Sequence, residues 1–185
     1  TRFADFIYLA QTGVVEDAMP VRLWTQHDAR FSGAEAEVTF HLSHGHSGDW
    51  DVRVFGDIVQ AKLDGSGQRE VHFDVPHGHH AHHHHAELAN GGYLPRIAPA
   101  RLGADLRWSQ GNWRASLGAL HHARQDKTAD NESATAGYTL INASLAWRLE
   151  RDDGRAWEVF LDGRNLSNRL AREHMPLLSR WVKYL

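Results

Sequence analysis

Apolar and polar residues alternate with a period of two along most of this chain. In the stretch 34–42 every even position is apolar and every odd position is polar, and the alternation begins again at Trp50, Leu102, Trp113, Ile141 and Trp157. Side chains of a β-strand point in turn to its two faces, whereas an amphipathic helix needs apolar spacings of three and four. The pattern therefore predicts an all-β chain.

The alternating stretches and the connections between them predict an antiparallel up-and-down meander. We predict about eight strands, near 2–11, 20–42, 49–63, 96–109, 112–126, 137–150, 156–165 and 179–185. Short polar connections alternate along the chain with long ones. The short connections are at 43–49, 110–112 and 151–155, and the long ones are at 64–95, 126–136 and 165–178. Short turns at one end and long loops at the other are typical of outer-membrane β-barrels. The apolar parity changes near Gly33, which predicts a β-bulge there.

Five of the seven tryptophans lie on the apolar face beside the short connections. Trp50, Trp113 and Trp157 each open a strand, and Trp108 and Trp147 each close one. Tryptophan gathers at membrane interfaces because its ring is apolar while its N–H needs a polar partner. The small apolar residues that follow suit a surface against lipid better than a packed core. We therefore expect the apolar face of the sheet to meet the lipid bilayer.

Composition excludes several classes of function. The chain has 185 residues and a formal net charge of −3, which gives no reason to expect a nucleic-acid partner. It has no cysteine, so disulfide scaffolds and thiolate metal sites are excluded. The sequence contains no nucleophile elbow, phosphate-binding loop or His-Glu-x-x-His helix, and we predict that the protein is not an enzyme. The chain starts within a strand-like segment, which predicts that it is part of a longer protein.

A histidine-rich tract occupies the longest connection. It runs from 77 to 85, and its histidines are His77, His79, His80, His82, His83, His84 and His85. Imidazole is the commonest ligand for borderline metals such as zinc, and a tract of this kind offers many interchangeable nitrogen atoms. We predict a loose metal-capture site on a flexible loop at about 64–95, which His72 could join. The alternative is a solvated low-complexity loop.

Short segments of the chain resemble the C-terminal barrel portion of TonB-dependent outer-membrane receptors. They appear in family order and are residues 28–35 (DARFSGAE), 94–103 (LPRIAPARLG), 163–168 (GRNLSN) and 172–174 (REH). The histidine-rich insert further resembles the zinc-uptake branch of the family. The resemblance spans nearly all of residues 1–185.

The resemblance implies outer-membrane transport of a metal ion, with zinc or another divalent transition metal as the transported ligand and no required cofactor. It implies that the loop at 64–95 is extracellular and gathers metal at the cell surface. Receptor barrels of this family have about twenty-two strands, so this chain would supply about a third of one. The plug domain and the segment that recruits the TonB energising complex are absent from it, and we expect them in the missing N-terminal part.

Two other interpretations also fit the alternating pattern of the sequence. Eight strands can close into a small self-contained outer-membrane barrel with a packed interior. A soluble periplasmic metal-binding β protein would show the same alternation, but it would bury the apolar face in a sealed core.

Overall fold

The alternating segments form paired strands in the computed structural model, which describes residues 1–43, 45–77, 80–151 and 154–171, with 76, 77 and 80 described by their backbone alone. Ten strands follow one another along the described chain. They are β1 (Arg2–Glu16), β2 (Met19–Ser43), β3 (Asp49–Leu63), β4 (Gln68–His77), β5 (His80–Ala89), β6 (Gly92–Tyr93), β7 (Arg101–Gln110), β8 (Trp113–His122), β9 (Tyr138–Glu150) and β10 (Ala156–Gly163). The all-β prediction is confirmed.

The strands form one large antiparallel sheet and one hairpin. The large sheet has the order β1-β2-β3-β7-β8-β9-β10, with the short β6 paired to β3. The second sheet contains β4 and β5 alone. Some neighbouring strands of the large sheet are joined by short turns, as between β7 and β8, where Gln110 pairs with Trp113, whereas β8 and β9 are joined by a long connection. No helix in the described part of the chain could span a membrane.

One predicted connection differs from the structure, and one predicted strand lies outside its described part. The connection at 64–95 is not a structureless loop, because β4, β5 and β6 lie within it. The prediction was wrong because the tract was treated as uniformly polar, although Val71, Phe73 and Val75 alternate with polar residues beside it. The predicted strand at 179–185 lies outside the described residues.

The chain divides into two compact units. Unit 1 contains Thr1–Gly33, Val59–Ala98 and Gln125–Ala134. Unit 2 contains Ala34–Ile58, Pro99–Arg124 and the described residues from Thr135 onward.

Unit 1 has a conventional hydrophobic core. Tyr8, Ala29, Leu63 and Leu88 are buried in it, and Leu94 is 1% exposed. In the same unit the Arg96 backbone N–H donates to a Glu132 carboxylate oxygen at 3.1 Å. Burial lowers the pKa of the Arg96 guanidinium, repulsion from Arg22 adds to this shift, and Glu132 opposes it.

Unit 2 has an apolar face that is turned outward. Leu42 and Leu102 are each 60% exposed, and Leu161 is 73% exposed. The other face carries ion pairs, including Arg53 with Glu37 at 2.6 Å and Arg114 with Glu158 at 2.7 Å. A contiguous exposed apolar surface of this kind needs an apolar medium. The soluble interpretation required these residues to be sealed in a core, and they are not.

The apolar parity reverses in two strands where one unit gives way to the other. In β2, odd positions such as Ala29 are buried before Gly33, whereas even positions such as Phe40 are apolar and exposed after it. In β3, even positions such as Ile58 are apolar and exposed, and then Ala61 and Leu63, at odd positions, are buried. The β1–β2 pairing ends at Arg30, before Gly33, so the bulge at Gly33 remains a prediction.

The tryptophans gather at one end of unit 2, as predicted. Trp50 pairs with Trp108 and Trp113 pairs with Trp147 across neighbouring strands, each with ring centroids 6.1 Å apart. The indole N–H groups of Trp50 and Trp108 both donate to the Ser47 carbonyl oxygen, at 3.3 and 2.9 Å. Their polar edges therefore meet the short turn while their rings extend the apolar face.

One aromatic residue breaks the alternation for a local reason. Phe55 lies on the polar face of β3, directly opposite Gly103 of β7. Its ring covers Gly103 and leaves no room there for a side chain, and the Arg53 guanidinium lies 4.4 Å above the ring. An aromatic side chain packed over a strand glycine is a recognised means of fixing strand register.

Candidate metal site

The histidine-rich tract forms most of strand β5, and strand geometry divides its residues between two faces. The cross-strand partners are Val75 with His82, Phe73 with His84, Asp74 with His83 and His72 with His85. His82 and His84 share the face that carries the buried Ala86 and Leu88. His83 and His85 point to the opposite, solvent-exposed face.

The inward pair meets a carboxylate from another strand. The His82 Nδ1 atom lies 2.8 Å from a Glu16 carboxylate oxygen, and the His84 Nε2 atom lies 3.4 Å from the other oxygen. One ligand atom from each of the three residues lies within 4.8 Å of the others. Two imidazole nitrogens and a carboxylate oxygen form a donor set that suits zinc and similar divalent ions.

The environment of this site is graded from buried to exposed. The Glu16 side chain is 12% exposed, that of His84 is 25% exposed and that of His82 is 54% exposed. The His84 ring stacks on Phe73 with centroids 5.9 Å apart, which holds its plane. An ion could reach the site from the His82 side, while Glu16 and His84 are held by packing.

The outward face offers pairs of residues and no three-ligand site among the described residues. His83 hydrogen-bonds to Asp74, and the rings of His72 and His85 lie 6.3 Å apart. The His83 side chain is 85% exposed. Such pairs can bind an ion weakly, with water completing its coordination.

The remaining predicted ligands are placed only in part. His77 ends β4 and His80 begins β5, where they are cross-strand partners. His79 lies outside the described residues. The structure thus brings His82 and His84 together with Glu16, and it separates them from His83 and His85.

Polar contacts join the hairpin to the large sheet at two places, in addition to the packing of Leu88 in the core. At its base Arg69 hydrogen-bonds to the Thr25 hydroxyl and donates to the Gln26 carbonyl oxygen at 3.2 Å. In its histidine-rich half, His82 and His84 contact Glu16. Burial raises the pKa of the neighbouring Tyr8 phenol, and the Arg69 guanidinium opposes that shift.

Sequence reasoning missed Glu16 as a member of this site. Glu16 is far from the tract in sequence and looks like an ordinary polar strand end. A two-residue turn follows Glu16 and places it at a strand end, but no local pattern in the sequence links it to the histidine tract. Asp17 and Ala18 have φ of 48° and 61°, which is the geometry of a tight turn between paired strands and fixes Glu16 at the tip of β1.

Comparisons with known proteins identify the barrel. The model of a family described as "TonB dependent receptor-like, beta-barrel" matches residues 1–166. No curated protein matches. The solved structure of a protein named "Copper transporter OprC" is similar, with a TM-score of 0.67 and 18% sequence identity, over 94% of this chain and 23% of that chain. At this identity the likeness shows the fold, and the chain spans less than a quarter of the transporter's length.

These matches agree with the outward apolar face and the tryptophan girdle of unit 2. The protein is therefore located in the outer membrane, and the chain belongs to the TonB dependent receptor-like β-barrel family.

Proposed function

We propose that the receptor containing this chain takes up a divalent transition metal, with zinc as the preferred ion, across the outer membrane. The histidine-rich hairpin binds the ion at the cell surface, and the TonB energising complex drives its passage. Family membership supports a transporter and not an enzyme. The name of the similar solved structure, a copper transporter, supports a metal as cargo.

The observation that carries this proposal is the convergence of Glu16, His82 and His84, whose ligand atoms lie within 4.8 Å of one another. A histidine-rich surface without such convergence would bind metals only diffusely. Here two strands supply three protein ligands, which leaves room for water in the coordination sphere. Zinc sites with three protein ligands and an open position exchange ligands, whereas closed four-ligand sites are structural.

The donor set argues for a divalent ion rather than monovalent copper. Monovalent copper prefers the soft sulfur atoms of cysteine and methionine. The chain has no cysteine and two methionines. Imidazole with carboxylate suits zinc, and it also binds divalent copper and nickel.

Zinc uptake by intact cells tests this proposal. Cells that produce the complete receptor are supplied with radiolabelled zinc at limiting concentration, and His82, His83, His84 and His85 are all replaced by serine in the variant. We expect uptake to fall several-fold at limiting zinc and to recover at high zinc, because capture fails while the pathway stays open. An uncoupler of the proton-motive force should abolish uptake in both.

The control variant is His121→Ser with His122→Ser, which removes two histidines from β8 and leaves the tract intact. It should transport zinc as the wild type does. Equal uptake by wild type and tract variant at limiting zinc would contradict the proposal. Preferential uptake of copper in a parallel assay would overturn the choice of zinc and leave metal transport in place.

A further inference from the structure

We infer that Glu16 is a metal ligand, and that an ion held by Glu16, His82 and His84 joins the tip of β1 to the β4–β5 hairpin. This inference rests on the proposed function and deepens it. It assigns the high-affinity binding to one face of the tract and to a residue outside it.

Glu16 is fixed in position by its backbone. It is the last residue of β1 and pairs with Met19, the first residue of β2, across the two-residue turn. A turn of this kind restricts the direction of the side chains that flank it. The Glu16 carboxylate consequently points at the inward face of the hairpin, where only 12% of its side chain is exposed.

The distances are close to those that a metal would require. Two ligands at about 2.0–2.1 Å from a zinc ion, in a tetrahedral arrangement, lie about 3.3 Å apart. The observed separations from the Glu16 carboxylate are 2.8 Å to His82 and 3.4 Å to His84. Small side-chain rotations would therefore admit an ion without moving the strands.

The carboxylate changes the chemistry of the site. Two neutral imidazoles leave the full charge of a divalent ion uncompensated in a partly buried place, whereas Glu16 neutralises half of it. The cost of desolvating a charge rises steeply with burial, so a negative ligand is worth most at the buried end of the site. The inward face should therefore bind a divalent ion more tightly than the exposed outward face.

A bridging ion would also restrain the hairpin. The hairpin is a sheet of its own, and its base is attached through Arg69. Its histidine-rich half meets β1 through the Glu16 contacts. Metal–ligand bonds at that point would make opening of β5 less frequent.

Zinc affinity of the detergent-solubilised complete receptor tests the inference, measured by competition with a chromophoric chelator. We expect Glu16→Gln to lower the affinity of the tightest site by about 10–100-fold, since even partners outside the coordination sphere cost that much when they are lost. His82→Ala and His84→Ala should have effects of at least the same size. The matched controls are Glu87→Gln, on the exposed face of β5, and His83→Ala, and each should change the affinity less than about threefold.

Hydrogen exchange of the β5 backbone amides provides a second measurement. Zinc should slow this exchange in the wild type and in His83→Ala, but not in Glu16→Gln. If Glu16→Gln keeps wild-type affinity and wild-type protection by zinc while His82→Ala loses both, the assignment of Glu16 is overturned and the proposed function survives. If His83→Ala weakens binding as much as His82→Ala, the assignment to the inward face is overturned. If the wild type itself does not bind zinc, the proposed function fails.

Discussion

The outward apolar face of unit 2 makes a quantitative prediction for Leu117 on β8. This residue is 52% exposed, so the described part of the chain leaves about half of it uncovered. It lies four residues beyond Trp113, or about 13 Å along the strand and about 10 Å in depth at the usual barrel tilt. The apolar band of such barrels is about 25 Å tall, which places Leu117 near its middle.

We expect Leu117→Arg to destabilise the receptor by about 2–4 kcal/mol, because that is the cost of a cationic side chain at the middle of the lipid-facing surface. An exposed leucine in water would respond differently, since substitutions at soluble surfaces usually stay within about 0.5 kcal/mol. The same substitution should therefore cost several-fold more stability if Leu117 faces lipid than if it faces water.

The assay is unfolding by guanidinium of the complete receptor reconstituted in phospholipid vesicles. Leu117→Met is the control, since it keeps a long apolar side chain at the same depth and should unfold at nearly the wild-type concentration. Should Leu117→Arg and Leu117→Met unfold at the same denaturant concentration, the lipid-facing assignment of this surface would be refuted.

Two further predictions concern unit 1. Leu94→Ala should destabilise the protein by about 2–5 kcal/mol, because Leu94 is 1% exposed and shortening its side chain leaves a cavity. The control is Leu170→Ala, at a position that is 53% exposed. In the same denaturation experiment it should lower the free energy of unfolding far less. Ala18→Gly should stabilise the β1–β2 hairpin by about 1 kcal/mol, because Ala18 has a φ of 61° and a residue with a Cβ is strained there. If the midpoint of thermal unfolding of the variant is unchanged or lower, this strain is absent.

Much of the barrel portion could be predicted from the sequence, because lipid imposes a simple rule. Residues on one face of β7, β8 and β9 must tolerate the bilayer, so the period-two pattern is clear along most of each strand and the strand ends fall near those predicted. The tryptophans were equally informative, since Trp108 and Trp147 mark where strands meet the short turns.

The hairpin and its site could be predicted only in part. The alternation of Val71, Phe73 and Val75 indicated a strand, but it was overlooked beside the histidine tract. Histidine was counted as a polar residue, although the His84 ring stacks on Phe73. The histidines as a metal-binding group were evident from the tract itself. Glu16 was not, because its place beside His82 depends on how the hairpin lies against β1, and a single sequence does not encode such long-range contacts in any local pattern.

The run of consecutive histidines in β5 has a consequence for how this strand can change. In an ordinary strand, inserting or deleting one residue turns every following side chain to the other face and destroys a site built on alternate positions. Within His82–His85 the same event would exchange one alternating pair of imidazoles for the other and still present two of them to Glu16. Redundancy in the tract would thus make the ligand set tolerant of small length changes, which a site built from two isolated histidines could not survive.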